Sequence, residues 1–384
     1  MTLWLFIQPV DSLFFRGNLS FGEAGEHGTG TMPPQPSVMA GALRSAILGA
    51  HPEALHQFTR EGRCQDPHLA QCLGTPQKPG TFRLRALHLA RRRQGQYEPL
   101  HPLPADLVRL ESGLYPLIPQ SPDPGMILGP QPLPKTALLH CPRTEKPRGG
   151  GYLTPEGWRA HLRGEIPEAS RHVVEDGELH RTDPRLGIGL DPRARTAREG
   201  LIYTTDGHAL TSEGPDGTAT GFLVGVDGAD AFLEREGLLR LGGDGRAAGF
   251  GPVDFEPEAP PLEAIARNRR FRLILDTPGL FAGGHLPQAI QQQGDQHWLH
   301  GEGFSARLTC CAHGRPGIIS GWDLQQWCPK PARRVVPAGA VYWFEDLQGD
   351  PEALAAWVAD GLARDPACSE ARRAEGYNQA TLAA

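Results

Sequence analysis

Apolar and polar positions along the chain predict two units that each begin with a strand. The first unit begins with the apolar run at residues 3–7, which is typical of a buried strand. Apolar residues then recur at helical spacing between Val38 and Ile47, and Ser37 stands where a helix N-cap is expected. From about residue 52 to 218 prolines interrupt the pattern, and we interpret this stretch as a long insertion.

Regular patterning returns near residue 220, where we predict a strand at 220–226, a short helix at 229–235 and a strand at 238–241. A proline-rich linker at 257–261 precedes a second strand-led unit. Its predicted elements are strands at 271–276, 305–310, 317–322, 335–336 and 340–345 and a helix at 351–363.

The order strand, helix, strands, helix occurs in both halves of the chain and favours an α+β fold with two ferredoxin-like (RRM-like) domains. The N-terminal domain is predicted to span 1–258, with the insertion at about 52–218. The C-terminal domain is predicted to span 259–384.

Composition narrows the class of protein. The chain has 384 residues, 48 of them glycine and 37 proline, about twice ordinary usage and without the period of collagen. The net charge of −6 gives no global sign of nucleic-acid binding, so such a function must rest on local arginine patches. The odd count of seven cysteines does not fit a framework of disulfides. The short apolar N-terminus has no basic region of the kind found in signal peptides, and no apolar run is long enough to span a membrane. We therefore expect a cytoplasmic protein.

The glycine-rich run at residues 242–249 has three possible interpretations. The first is a tight hairpin between two strands. The second is a dinucleotide site, although the third glycine falls one position late for the G-x-G-x-x-G motif. The third is a loop that brings backbone N–H groups close to a phosphate. In the last case Arg246 adds a guanidinium suited to phosphate. The chain contains no Gly-Lys-Ser/Thr, which excludes a P-loop.

Two further features are compatible with anion binding. The N–H groups of Val38 and Met39 after Ser37 form a helix start that favours anions, with Arg44 within reach of a second phosphate; alternatively, Ser37 is an ordinary cap. Arg193, Arg195 and Arg198 make a positive patch before a predicted strand. This patch is either a phosphate-binding surface or a solvated face.

No enzyme constellation assembles from the sequence. The zinc-protease motif, the nucleophile-elbow motif and paired-cysteine zinc spacing are all absent. Cys64, His68 and Cys72 are four residues apart and would share a face if this stretch were helical, but Pro67 interrupts it. We therefore predict no catalytic residues, no bound metal and no cofactor.

Five segments in order along the chain resemble one family. They are 11–16 (DSLFFR), 33–44 (PPQPSVMAGALR), 186–191 (LGIGLD) running on to 198–203 (REGLIY), 241–246 (LGGDGR) and 336–342 (VPAGAVY). Together they are similar to the third subunits of the Cmr complex, the type III-B CRISPR effector, which belong to the RAMP superfamily.

The resemblance implies a non-catalytic RNA-binding subunit that acts in antiviral defence. Its partners would be the 5′ repeat-derived handle of the crRNA, the large polymerase-like subunit and neighbouring backbone RAMP subunits. The RNA-binding residues that it implies are Arg16, Ser37, Arg44, Gly242, Gly243, Gly245 and Arg246, with Arg193, Arg195 and Arg198 added by position and charge.

Other aspects of an RNA-binding role stay open at the sequence level. Phe14, Phe15 or Tyr203 could stack on bases. The stretch at 375–379 is a degenerate glycine-rich loop, so the second domain either grips RNA or serves as a protein-binding platform. An alternative function is a metal-independent endoribonuclease that processes CRISPR repeat RNA, which would need an acid–base constellation near the glycine loop. The nearest histidine in sequence is His208.

Overall fold

The computed structural model describes most of the chain. It covers residues 2–15, 27–28, 32–75, 78–123, 125, 133–141, 144–191, 193–211, 217–323, 328–362 and 365–384, with backbone only at 27–28, 198–200 and 322–323. The described residues form two compact units that alternate along the chain. Unit 1 comprises Met1–Pro99, Asp176–Phe255 and Ile319–Ala332; unit 2 comprises Leu100–Glu175, Glu256–Ile318 and Arg333–Ala384.

The described part of the chain contains ten α-helices. They are α1 (Pro36–Gly49), α2 (Pro52–Glu61), α3 (Pro67–Leu73), α4 (Pro155–Leu162), α5 (Ala169–His172), α6 (Asp176–Leu179), α7 (Asp230–Leu233), α8 (Leu262–Asn268), α9 (Pro351–Ala359) and α10 (Glu370–Ala374). Five of these, α1, α2, α3, α4 and α9, begin with proline, whose fixed φ and missing N–H suit the first helical turn. No helix in these ranges is both long and apolar enough to span a membrane.

The strands of the described residues range from 2 to 14 residues and pair almost entirely antiparallel. They are β1 (Leu3–Pro9), β2 (His27–Gly28), β3 (Arg83–Arg93), β4 (Gln96–Pro102), β5 (Leu107–Leu110), β6 (Gly113–Gln120), β7 (Thr136–Leu139), β8 (Tyr152–Leu153), β9 (Val173–Val174), β10 (His180–Leu190), β11 (Ala197–Leu210), β12 (Ala219–Asp227), β13 (Gly237–Arg240), β14 (Ala247–Pro252), β15 (Phe271–Leu275), β16 (Ile290–Gln293), β17 (Gln296–Gly301), β18 (Phe304–Ala312), β19 (Gly317–Ile319), β20 (Trp322–Asp323), β21 (Cys328–Pro329), β22 (Arg333–Val335), β23 (Val341–Gly349) and β24 (Ala380–Ala383).

Unit 1 is built on a sheet with the order β13-β14-β1-β12-β3-β4. Strand β12 lies at its centre, and eight of its nine residues are buried, as expected for a strand with both faces covered. On one face Phe6, Ala90 and Leu223 form a core cluster. Helix α1 buries Met39, Leu43 and other apolar residues and contacts β3 and β13. A long hairpin, β10-β11, also belongs to this unit.

Unit 2 is built on a sheet with the order β16-β17-β18-β23-β15-β24. Alternate residues of β15 enter two different cores: Phe271 and Leu273 join the cluster that includes Leu354 of α9, whereas Ile274 joins the cluster that includes Trp158 of α4. Arg272 lies on the Ile274 face, where it donates to the buried carboxylate of Asp106 at 2.6 Å. Both faces of this sheet are therefore covered.

Several predicted elements are confirmed with small changes of boundary. The helix over Pro155–Leu162 matches, and the strand predicted at 220–226 is β12. The structure differs inside the stretch interpreted as an insertion, because β3 pairs with β12 in the sheet of unit 1, and residues 100–175 group with unit 2. The domain boundary after residue 258 stays a prediction; the second segment of unit 1 ends at Phe255, and its third segment is Ile319–Ala332.

Candidate RNA-binding site

The glycine-rich run forms the turn of the β13-β14 hairpin, which we call the glycine turn (residues 241–246). The strands pair from Arg240 and Ala247 outward, and the N–H of Leu241 donates to the carbonyl of Arg246 at 2.8 Å. Between them the chain makes a single 3-10 turn over Gly243–Gly245, with Asp244 and Gly245 at positive φ. The tight-hairpin interpretation is therefore correct, and no helix follows the turn as a dinucleotide site requires.

The glycine turn is attached to the segment that follows β1. The N–H of Gly243 donates to the carbonyl of Phe14 at 2.7 Å, and the N–H of Val10 donates to Ala247 at 3.0 Å. A Cβ on Gly242 would lie 2.6 Å from the Phe14 carbonyl oxygen, and the φ of Gly242 is +80°. The close approach that requires glycine at position 242 is thus to Phe14, and the N–H of Gly243 is already used inside the protein.

Arg246 is held at the end of the turn by a carboxylate. Its NH1 donates to Oδ2 of Asp11 at 2.6 Å, and its side chain is 26% exposed. Asp11 in turn accepts from NH2 of Arg185 at 3.2 Å, and Nε of Arg185 donates to Asp183 at 2.8 Å. These four side chains form a line of alternating charge, which we call the charge line.

The hydrogen bonds of the charge line keep both of its carboxylates ionised. The backbone N–H of Ser12, with help from Arg185 and Arg246, lowers the pKa of Asp11 below its usual range. The Ser12 hydroxyl and Arg185 lower the pKa of Asp183. Sequence reasoning missed Asp11, Asp183 and Arg185, although Asp11 stands in one of the segments that carried the resemblance.

Ser37 and Arg44 occupy different positions from those expected. The N-cap of α1 is Gln35, because Pro36 takes the first helical position, so Ser37 lies inside the first turn. The N–H of Val38 donates to the carbonyl of Gln35 at 2.9 Å. The guanidinium of Arg44 lies 4.7 Å from the ring centre of the buried Phe82. Ser37 is therefore not the cap, and the Arg44 guanidinium packs against the core aromatic ring.

The predicted arginine patch is divided between the tip and one strand of the β10-β11 hairpin. Arg193 and Arg195 are exposed at the tip, where the Asp191 carboxylate accepts from the N–H of Arg193 at 2.8 Å. Arg198 lies in β11. Five residues of β10 separate the tip from Arg185, which is about 17 Å at the usual rise of a strand. The tip arginines therefore do not join the glycine turn. Arg16 lies outside the described residues.

Of the three aromatic residues predicted to stack on bases, Phe15 is buried in the core, whereas Phe14 and Tyr203 are only partly buried. Phe15 is 2% exposed and packs against Phe222, with 6.4 Å between the ring centres, so its ring belongs to the core and the stacking prediction for it is wrong. Phe14 is half-buried beside Gly243. The ring of Tyr203 lies over Gly187, where a Cβ would be 2.3 Å from it. Phe14 and Tyr203 keep their predicted role as stacking candidates.

The cysteine-containing stretch does not form a metal centre in the described residues. Helix α3 begins only at Pro67, so Cys64 precedes it. Burial raises the pKa of Cys72 to about 11 and also raises that of Cys64, which disfavours the thiolates that metals bind. Across the described ranges, no group of three or more His, Cys, Asp or Glu side chains is placed to hold a metal ion.

Comparisons with known proteins bear on the whole chain. The model of the family described as CRISPR-associated protein (Cas_Cmr3) matches residues 5–383. No curated protein matches. Two solved structures of the type III-B Cmr-beta complex contain similar chains: one bound to cognate target RNA and AMPPnP, with 14% identity and a TM-score of 0.48, and one bound to cognate target RNA, with 15% identity and a TM-score of 0.47. Each likeness covers 88% of this chain and 86% of the other. Because the family model spans nearly all residues, this chain belongs to the Cas_Cmr3 family of CRISPR-associated proteins.

Proposed function

We propose that this chain is a non-catalytic RNA-binding subunit of a type III-B Cmr effector complex. In that role it holds the repeat-derived 5′ handle of the crRNA and docks the large polymerase-like subunit and the neighbouring backbone subunits. The observation that carries the proposal is Arg246: a partly exposed guanidinium fixed on a glycine turn of unit 1. Membership of the Cas_Cmr3 family supports the same role.

The fold that we propose is a pair of ferredoxin-like domains. Such a domain has four antiparallel strands in the spatial order 4-1-3-2. The order β14-β1-β12-β3 in unit 1 and the order β24-β15-β23-β18 in unit 2 both follow that rule when the strands are numbered along the chain. Unit 1 has α1 between its first and second strands and α7 between its third and fourth.

Single-stranded RNA is recognised through phosphate contacts and stacked bases rather than through grooves. Arg246 offers the planar guanidinium that matches a phosphate, and the half-buried Phe14 lies next to the glycine turn. Arg193 and Arg195 at the hairpin tip add positive charge farther along the same unit. The net charge of −6 confines RNA binding to such local patches.

The corresponding place in unit 2 is closed. Strand β24 pairs with β15 as β14 pairs with β1, and residues 375–379 precede β24 as the glycine turn precedes β14. There Asn378 is fully buried. Its side-chain oxygen accepts a hydrogen bond from the N–H of Leu280, and its side-chain nitrogen donates to the carbonyls of Leu280 and Leu362, at distances of 2.6–3.2 Å. We therefore assign RNA binding to unit 1 and protein docking to unit 2.

The experiment that tests the proposal compares Arg246→Ala with Arg315→Ala, an exposed loop arginine of unit 2, in the full-length chain. Binding to synthetic single-stranded handle RNA is measured by fluorescence anisotropy at several salt concentrations. Arg246→Ala should weaken binding about tenfold, the scale of a charged hydrogen bond, and reduce the salt slope by about 0.7. Arg315→Ala should change neither. Equal affinities for the two variants would contradict the role of the glycine turn.

Subunit function is tested separately by purifying the tagged chain from its host. The proposal predicts that crRNA with a common 5′ repeat-derived end and a large CRISPR subunit are recovered together. Recovery of the chain without RNA would count against it.

The alternative, a metal-independent endoribonuclease, has one structural observation in its favour. His208 is joined to Leu13 by two backbone hydrogen bonds of 2.7 and 2.9 Å, and its ring lies 5.2 Å from that of His180. Burial and the neighbouring His208 lower the pKa of His180, so at neutral pH it lacks the proton that a general acid must supply. We expect no cleavage of repeat RNA by the purified chain in EDTA. Cleavage that His180→Ala or His208→Ala abolishes would favour the enzyme.

A further inference from the structure

The charge line ends on the residue that the proposed function places against RNA. Asp11 lies between Arg185 and Arg246, and its Oδ1 also accepts from the N–H of Ser12 at 2.7 Å. Arg185 is bound on its other side by Asp183. Thus Asp11 is held by two donors besides Arg246, one of which is the main chain.

The contact with Asp11 uses only part of the Arg246 guanidinium. NH1 donates to Asp11, and among the described residues the Arg246 side chain donates to no other group. The edge formed by Nε and NH2 therefore stays available for the two parallel bonds by which a guanidinium binds a phosphate. An arginine that must be ordered on binding loses rotamer freedom, whereas one already fixed does not.

We propose that Asp11 is a positioning residue for RNA binding, which fixes the Arg246 guanidinium so that its Nε–NH2 edge meets a backbone phosphate diester. Arg185 and Ser12 keep the Asp11 carboxylate in place. This inference rests on the proposed function and adds to it a residue, Asp11, whose own charge opposes that of the ligand.

The sign of that charge makes the inference testable. Simple electrostatics says that removing a carboxylate near a phosphate strengthens binding, by up to about fivefold for charges 4 Å apart in water. If Asp11 positions Arg246, its replacement should instead weaken binding. The Arg246 side chain then regains rotamer freedom that it must lose on binding RNA, which costs about 2- to 12-fold in affinity. The exposed Asp244 of the same turn makes no hydrogen bond or ion pair with its side chain among the described residues. It serves as the matched control.

The experiment measures binding of synthetic single-stranded handle RNA to full-length Asp11→Asn and Asp244→Asn variants, which undergo the same change of charge. We expect weaker binding by Asp11→Asn and equal or tighter binding by Asp244→Asn. The salt slope of Asp11→Asn should equal that of the wild type, since no cation is lost. Asp11→Glu, which keeps the carboxylate, should recover part of the affinity.

A double-mutant cycle separates positioning from a general structural effect. In the Arg246→Ala background the Asp11→Asn change should have no further weakening effect, because the residue that Asp11 positions is gone. Tighter binding by Asp11→Asn, or equal weakening in both backgrounds, would overturn the inference. If Arg246→Ala itself leaves the affinity unchanged, the proposed function fails; if Arg246→Ala weakens binding and Asp11→Asn does not, only the positioning role fails.

Discussion

Gly242 is the residue whose substitution should most directly disturb the glycine turn. Its backbone has φ +80° and ψ −163°, a region that is essentially restricted to glycine and costs about 1–3 kcal/mol for other residues. The new Cβ of Gly242→Ala would also lie 2.6 Å from the Phe14 carbonyl oxygen, so the turn must move away from that carbonyl. The move breaks the hydrogen bond from Gly243, worth about 1 kcal/mol.

The matched control for this substitution is Gly245→Ala. Gly245 has φ +64°, and the nearest atom to its Cβ position is Cδ of Arg240 at 3.9 Å. Alanine there costs about 1–2 kcal/mol of left-handed backbone strain and meets no obstacle. We therefore expect Gly242→Ala to lower the free energy of unfolding by about 2–4 kcal/mol, more than Gly245→Ala does.

Thermal unfolding and hydrogen exchange test this difference. Each 1 kcal/mol lowers the Tm of a unit of this size by about 2–4 °C. The Gly243 amide should exchange faster in Gly242→Ala and at the wild-type rate in Gly245→Ala, since only the first variant loses the bond to Phe14. Equal Tm values for the two variants, with an unchanged Gly243 exchange rate, would refute the reasoning.

Three further predictions concern unit 2. Arg272→Ala removes the guanidinium paired with the buried Asp106 carboxylate, which keeps only His161 beside it, and should destabilise the chain by about 3–5 kcal/mol in urea unfolding; a wild-type midpoint would contradict this. Burial raises the pKa of Asp276 to about 7, so the stability that its protonated form contributes is complete below about pH 4 and is lost as the pH rises through 7. Asp276→Asn should flatten this decline in Tm, and an unchanged pH profile would exclude Asp276 as its source. Asn378→Gly keeps the positive φ but removes three buried hydrogen bonds, so the free energy of unfolding should fall by about 1–3 kcal/mol for each buried group left unsatisfied, and the Tm should fall with it; retention of the wild-type Tm would show that these bonds add nothing.

Elements with a regular apolar pattern were predictable from the sequence. The helix Pro155–Leu162 and the strand Ala219–Asp227 have the expected type and nearly the expected bounds. Strand β3 was missed because arginine occupies positions 83, 85 and 91–93 among its leucines, which disguises the pattern of a strand. Arginine side chains can nevertheless pack against apolar groups of a sheet: the Arg92 guanidinium lies 5.9 Å from the centre of the Phe6 ring.

The candidate site was only partly predictable for a different reason. The glycine turn and Arg246 are contiguous in sequence and could be found by their composition. The partner of Arg246 is Asp11, 235 residues away, and Asp11 meets Arg185 across 174 residues. No spacing rule joins such positions, because they are brought together by the pairing of β14 with β1, the backbone bridge from Leu13 to β11 and the pairing of β11 with β10.

Ser37 shows how local chemistry can misplace a cap. Serine is a strong N-cap, but Pro36 before it is stronger evidence for the first helical position, since its φ is already helical and it has no N–H to satisfy. The helix therefore begins two residues earlier than a cap at Ser37 would place it, at Pro36 instead of Val38. An anion site built on the N–H groups after Ser37 loses its basis, because Val38 already donates to Gln35.

Photocrosslinking of the assembled complex tests the central claim most directly. The wild-type chain is assembled with its partner subunits and a crRNA that carries 4-thiouridine at single handle positions, irradiated, and digested for mass spectrometry. The account predicts that handle crosslinks fall on residues 10–15 and 241–246 of unit 1 and are reduced by Arg246→Ala. Handle crosslinks confined to unit 2, or to other subunits, would contradict it.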